Sequence, residues 1–263
     1  MSPSSHNLDD DAFVDQVADA LQNLAGVEGV ALGGSRAQGT NRPDSDWDFA
    51  LYYREGFEPE TVRDLGWPGR LTDLGGWGRI FNGGGAVTVD ERTIDIHYRD
   101  LGLIEHIHDD AVRGEFTIEP LLFHQAGLPS YILLAELGIN NALRGHLPKW
   151  DYPQALRESA PGIWCERAEL TMFYATEGHA RHGRVAQCAG LLSEAACHAG
   201  HAIMAHRGEW VTNEKHLLSK AGLRGVDDIV AELGTEPESL LQAVGKARDL
   251  LVAAIQNEGI FPS

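Results

Sequence analysis

Asp46 and Asp48 stand two residues apart at the entrance to an apolar run, Phe49 to Tyr53. On a strand, side chains alternate between faces, so the two carboxylates share one face. Held side by side they repel each other unless a cation sits between them, and hard oxygen ligands suit Mg²⁺. Upstream, the short apolar run Val27 to Leu32 reads as a buried strand that feeds straight into Gly33-Gly34-Ser35. The two glycines reach backbone angles that other residues avoid and let a phosphate come close to the main chain. Such a turn aims several N–H groups at an anion. The loop between the two motifs carries Asn41, Pro43 and Asp44. A phosphate-cradling turn followed by a same-face aspartate pair is a layout for metal-assisted phosphoryl or nucleotidyl transfer. The simpler reading of the same residues is a plain turn and two solvated aspartates.

These residues need a scaffold, and the surrounding sequence predicts one. Asp9-Asp10-Asp11 starts a helix with negative charge at its positive end. Phe13, Val17, Leu21 and Leu24 fall on one face of it, and Gly26 ends it. Glu58 to Leu65 reads as a second helix. Gly66 to Gly85, rich in Gly and Trp, reads as an irregular loop with one short strand near Arg79 to Phe81. Ala86 to Val89 and Arg92 to Tyr98 form a hairpin around Asp90-Glu91. On its second strand Ile94 and Ile96 face one way, Asp95 and His97 the other. An aspartate between isoleucines asks for a purpose; for His97 a satisfied surface or core histidine is the simpler account. Asp100 to Val112 reads as a helix whose wet side carries Glu105, His106, His108, Asp109 and Asp110. A domain boundary is expected within Glu115 to Gly127, where Pro120 interrupts.

Beyond Leu128 strand signals almost stop. Tyr131 to Leu143, Ile163 to His182, Arg184 to Arg207, Asn213 to Ala221 and Pro237 to Gln256 read as helices, punctuated by Pro148, Pro153 and Pro161. Short connections between long helices predict an antiparallel bundle. The fold class is therefore α+β: an N-terminal domain over 1–120, a mixed β-sheet with flanking helices, followed by a helical domain over 121–263. The pairs His179/His182 and His198/His201 are spaced i, i+3, but zinc would also want carboxylates or thiols in reach.

The chain has 263 residues and a net charge of −18. Long nucleic acids are held largely by Lys and Arg on phosphates. A chain this acidic without a Lys/Arg cluster argues against a polynucleotide partner and suits a small, cationic or neutral one; solubility alone also accounts for acidity. No apolar stretch is long enough for a transmembrane helix. Met1 to Asn7 reads as unstructured, and Met1 to Asp11 is polar and acidic, unlike a secretory signal. Cys165, Cys188 and Cys197 lack metal-type spacing and read as buried thiols in a reducing cytoplasm.

Gly33-Gly34-Ser35, a ten-residue gap and Asp46-x-Asp48 together resemble the signature of the DNA polymerase β-like nucleotidyltransferase superfamily. The wording Gly-Ser-Arg-Ala-x-Gly resembles its small bacterial members, including the aminoglycoside nucleotidyltransferases. The likeness in motif covers roughly residues 25 to 100. It implies an N-terminal nucleotidyltransferase domain, a helical domain, and an acceptor held between them. It implies that ATP or another NTP lies on Gly33, Gly34 and Ser35, with Arg36 helping to neutralise charge. Asp46 and Asp48 would hold Mg²⁺, and Asp95 matches the third carboxylate, completing the metal site or acting as base. Relatives present a lysine from the helical domain to the triphosphate; Lys215 is the candidate, beside its reading as an exposed first-turn lysine. Glu166, Glu169 and Glu194 are further candidates for the base. The expected activity is transfer of a nucleoside monophosphate, AMP from ATP, to a hydroxyl of a small molecule such as an aminoglycoside-like antibiotic, by a monomer or homodimer. Two other readings stand beside it: a protein-directed adenylyltransferase, and a non-catalytic nucleotide-binding regulatory or antitoxin-like module.

Overall fold

A computed structural model describes residues 9–42 and 45–260. Pro43 and Asp44, placed in the loop above, and Met1 to Asn7, expected to be unstructured, lie outside these residues. The chain is mixed α+β, an N-terminal sheet with helices followed by a helical region, and it divides into two compact units. One comprises Met1–His108 and Leu133–Asp151, the other Asp109–Ile132 and Tyr152–Ser263. The chain thus leaves the first unit after 108, returns to it for 133–151, and leaves again.

The first unit is built on a six-stranded mixed sheet. Its strands are β1 (Val27–Leu32), β2 (Trp47–Tyr53), β3 (Gly69–Leu71), β4 (Gly83–Val89), β5 (Arg92–Asp100) and β8 (Asn141–Gly145), in the order β3-β4-β5-β2-β1-β8. β2 and β5 are parallel neighbours; the other pairs are antiparallel. Helix α1 (Asp10–Gln22) begins on Asp9, whose carboxylate accepts from the Ala12 N–H at 2.8 Å. Its apolar stripe, Phe13, Val17 and Leu21, is buried with Trp47, Phe49, Leu51, Ile94, Ile96 and Tyr98 in one core. Alternation does the rest, sending Asp48, Ala50 and Tyr52 of β2 and Asp95, His97 and Arg99 of β5 to the opposite face.

The lower end of that second face is covered by α6 (Ile132–Ile139), which is apolar nearly all round and buried from Leu133 to Leu137. It ends at Ile139 rather than running to Leu143 because 141–145 pair with β1 as an edge strand. Cross-strand pairing outweighs local helix propensity there, helped by Gly145, at φ +76°, closing on the Glu28 carbonyl. The segment 79–81, expected as a strand, is instead the one-turn helix α4 (Gly78–Phe81), and the short strand lies earlier at β3. Helices α2 (Gly34–Ala37), α3 (Pro59–Arg63) and α5 (Leu101–Val112) complete the elements before residue 113.

The second unit opens with a hairpin, β6 (Ile118–Leu121) and β7 (His124–Pro129), turning at Leu122-Phe123. Two long helices follow, α7 (Gln154–Tyr174), which runs through Pro161, and α8 (Val185–Arg207). Between them, 175–179 form a π turn and 180–182 a 3₁₀ turn, stopping at Gly183 in the left-handed region. Short α9 (Leu217–Lys220) and α10 (Gly225–Ala231) precede α11 (Pro237–Asn257). Trp164 of α7 is fully buried, stacked on His201 of α8 with centroids 4.6 Å apart. The three cysteines are buried free thiols.

Candidate active site

The turn after β1 and the start of β2 are tied together by backbone. The Gly33 N–H donates to the Asp48 carbonyl at 2.8 Å, and Leu32 pairs with Phe49. Gly34 has φ +62°, and a Cβ built on it would fall 1.8 Å from Asp48 Oδ2. The aspartate carboxylate is therefore seated against bare main chain, and only glycine leaves room for it. Gly33 caps the single turn of α2, with Ser35 and Arg36 half-buried inside it.

Asp48 and Asp95 are register partners on parallel β2 and β5, so their carboxyls stand on the same face of adjacent strands. Asp46 lies just outside β2 and is exposed. Burial first, and the Asp46 charge second, raise the Asp95 pKa above the ordinary aspartate range. Asp46 is thus close enough for its charge to be felt at Asp95. Among the described residues, no three His, Cys, Asp or Glu side chains are already gathered at ligating distance. The donor set still fits a hard divalent cation: carboxylate oxygens from neighbouring strands, with one group already pushed toward neutrality by burial and its neighbour.

Arg36 is committed elsewhere. Its guanidinium donates to the Ser45 carbonyl at 2.9 and 3.2 Å and to the Asp46 carbonyl at 3.3 Å. It lies 3.6 Å over the Trp47 ring and 3.7 Å from Asp10. The arginine staples the entrance of β2 to the turn, holding the backbone that carries Asp46. A cavity of about 610 Å³ opens at these strand starts, lined by Arg36, Ser45, Asp46, Trp47, Arg92 and Thr93 among others. Asp48 and Asp95 are not in its wall.

Behind the carboxylates is a polar layer of which the sequence singled out only His97. Arg99, 1% exposed, donates to both oxygens of Glu136 at 2.5 and 2.8 Å and to the carbonyls of Phe81 and Tyr98. His97 Nδ1 lies 3.4 Å from the Arg99 guanidinium, and burial followed by the Arg99 charge brings the imidazole down to about 4. His97 is therefore neutral at physiological pH, with Trp77 edge-on at 5.8 Å. Asn140 packs against Gly33, its amide 3.2 Å from where a Cβ would be. Glu136 sits in a run so apolar that only its charge, on the inner side of a buried helix, signalled a partner; Asn140 gave no signal at all.

The remaining sequence candidates lie in the second unit. Lys215 is exposed in the turn ahead of α9, its N–H donating to Asn213 Oδ1 at 3.1 Å. Glu166 and Glu169 are exposed on α7, while Glu194 is half-buried on α8. His198 and His201 are buried against Trp164, and His201 Nε2 lies 3.5 Å from Glu214 Oε1.

A mixed sheet that presents a glycine turn and carboxylates on adjacent strands defines a nucleotidyltransferase scaffold. Residues 14–123 match the family model described as a nucleotidyltransferase domain, and this segment is such a domain, of the polymerase β-like superfamily. The domain makes the chain a transferase of the nucleotidyl-transferring type. Among solved structures, the chain is similar to a nucleotidyltransferase-like protein from Exiguobacterium sibiricum 255-15, at 9% identity and a TM-score of 0.39, over 94% of this chain and 77% of that one. A likeness that low says nothing of substrate. No curated protein matches this sequence. No helix among the described residues is long and apolar enough to cross a membrane.

Proposed function

We propose that this protein transfers a nucleoside monophosphate, AMP from ATP, to a hydroxyl group of a small and cationic acceptor of the aminoglycoside type. The observation that carries the reading is the seating of the Asp48 carboxylate against Gly34, with Asp95 as its register partner. That arrangement puts the anion-binding turn and the carboxylates within one backbone-bonded unit. The charge of −18 supports a cationic acceptor over a polynucleotide.

In this reading the Gly33-Gly34-Ser35 turn binds the triphosphate through backbone N–H groups and the Ser35 hydroxyl. Asp46, Asp48 and Asp95 would hold Mg²⁺, which supplies charge neutralisation at the phosphates. Arg36 keeps Asp46 in position through its carbonyl contacts. Alternatively, with Mg²⁺ held by Asp46 and Asp48 alone, Asp95 takes the acceptor's proton as the hydroxyl attacks the α-phosphorus and pyrophosphate leaves. Most of the rate enhancement is positioning and electrostatics.

The test is pyrophosphate release from each of the four NTPs with Mg²⁺, across aminoglycosides, lincosamides and simple polyols. Acceptor-dependent release is expected with ATP, lost on adding EDTA, and reduced at least about a hundredfold in Asp48→Asn with an unchanged fold. Undiminished turnover in that variant overturns the assignment. Release that requires a protein acceptor instead supports the protein-directed alternative.

A further inference from the structure

The second unit contains a cavity of about 350 Å³ beneath the β6–β7 hairpin. Ile118, Leu121, His124 and Gln125 line it from the hairpin side, Arg167 from α7 and Glu194 from α8. Its hairpin wall is fixed in place. The Gln125 and Ala126 N–H groups donate to the Glu214 carboxylate at 2.6 and 2.9 Å, and the Ser193 hydroxyl donates to Gln125 Oε1 at 2.7 Å.

The two charges in this cavity are unspent. Arg54, Arg63, Arg113, Arg144 and Arg207 each close on a carboxylate. Arg167, exposed on α7, and the half-buried Glu194 share one cavity, yet among the described residues neither side chain makes a hydrogen bond or an ion pair. They nevertheless feel each other: burial raises the Glu194 pKa, the Arg167 charge pulls it back, and Glu214 adds to the rise. A half-buried carboxylate without a partner is costly, and a cation and an anion held apart across a gap match a molecule that carries both signs. The volume falls in the range of small-ligand sites.

We propose that this cavity binds a small zwitterion of the α-amino acid type, its ammonium against Glu194, its carboxylate against Arg167 and an apolar side chain against Ile118 and Leu121. Arginine is suited to the second role because its planar fork takes a carboxylate with two hydrogen bonds. The site lies wholly within the second unit and stands whether or not the nucleotidyl-transfer reading of the first does.

Isothermal titration of the full chain with three probes tests it: L-leucine, leucinol (no carboxylate) and 4-methylpentanoate (no amine). Leucine is expected to bind saturably, and each truncated probe to bind at least about tenfold more weakly, a loss of about 1.4 kcal/mol. Glu194→Gln should weaken leucine and leucinol but not 4-methylpentanoate; Arg167→Gln should weaken leucine and 4-methylpentanoate but not leucinol. Far-UV circular dichroism identifies a variant that has lost its fold, and Glu194→Asp, which keeps the charge and shortens its reach, then replaces Glu194→Gln with the same expected weakening. Absence of saturable binding of leucine up to about 10 mM, equal affinity for all three probes, or folded variants that bind leucine unaltered would each overturn the proposal.

Discussion

At the scale of single residues, two positions around Asp48 admit sharp tests. Gly34 combines a positive φ with a carboxylate where its Cβ would be. Gly34→Ala must therefore strain the turn and push Asp48 aside. A shift on the order of 1 Å at a reacting centre costs about a hundredfold in rate, so turnover should fall by that order while far-UV circular dichroism stays unchanged. Arg36 separates two roles that look alike in sequence. As a phosphate ligand it would be served fairly well by lysine, which keeps the charge. As a staple over Trp47 and the carbonyls of Ser45 and Asp46 it needs the planar fork. Arg36→Lys should accordingly lower kcat about tenfold or more with little change in KM for the nucleotide. Steady-state kinetics check this, and a raised KM with normal kcat would restore the phosphate role.

Among elements, α6 decides how well the sheet is supported. Its Glu136 is the partner of a buried arginine, and removing one member of such a pair strands a charge inside the protein. Glu136→Gln is expected to cost about 3–5 kcal/mol in urea denaturation. The double change Arg99→Met/Glu136→Leu should recover most of that loss, because no charge is then left unpaired. This element also marks where sequence reading succeeded and where it stopped. α1, β1, β2, the β4–β5 hairpin, α5 and the long helices were legible because each carries its own period, cap or turn chemistry. Asp46, Asp48 and the glycine turn were legible because their neighbourhood is local, closed by a strand pair. The hairpin at 118–129 and the edge strand β8 were not, because Pro120 and the helix-like run 131–143 signal the opposite of what distant partners enforce. In long-range pairings such as Arg99 with Glu136, a lone charge in an apolar run signals that a partner exists, but neither local sequence says which residue it is.

At the scale of the whole molecule, acidity should find the buried histidines. His198 is packed among Trp164, Thr171 and His201, with Arg167 and Glu214 the nearby charges; burial and then Arg167 bring its pKa down to about 4. An unfolded histidine titrates near 6.5. The folded state therefore binds this proton less readily than the unfolded one, so its stability is intact above about pH 6.5 and declines as pH falls toward 4, by about 3 kcal/mol for this group. Urea denaturation between those pH values should show the decline, and His198→Gln should make it shallower.

The double passage of the chain between units has a consequence during synthesis. Residues 14–123, which carry the family's signature, end before α6 and β8 exist. Until 133–151 emerge from the ribosome, β1 presents a bare edge and Arg99 has no carboxylate partner. The nascent chain thus holds an open strand edge, a template for mispairing with other chains, while both segments of the second unit's hairpin are translated. Ribosome-bound chains extended far enough to release 125 but not 133 should be captured by chaperones and cut by protease within the first unit, whereas in chains extended far enough to release 151 that unit should be protected.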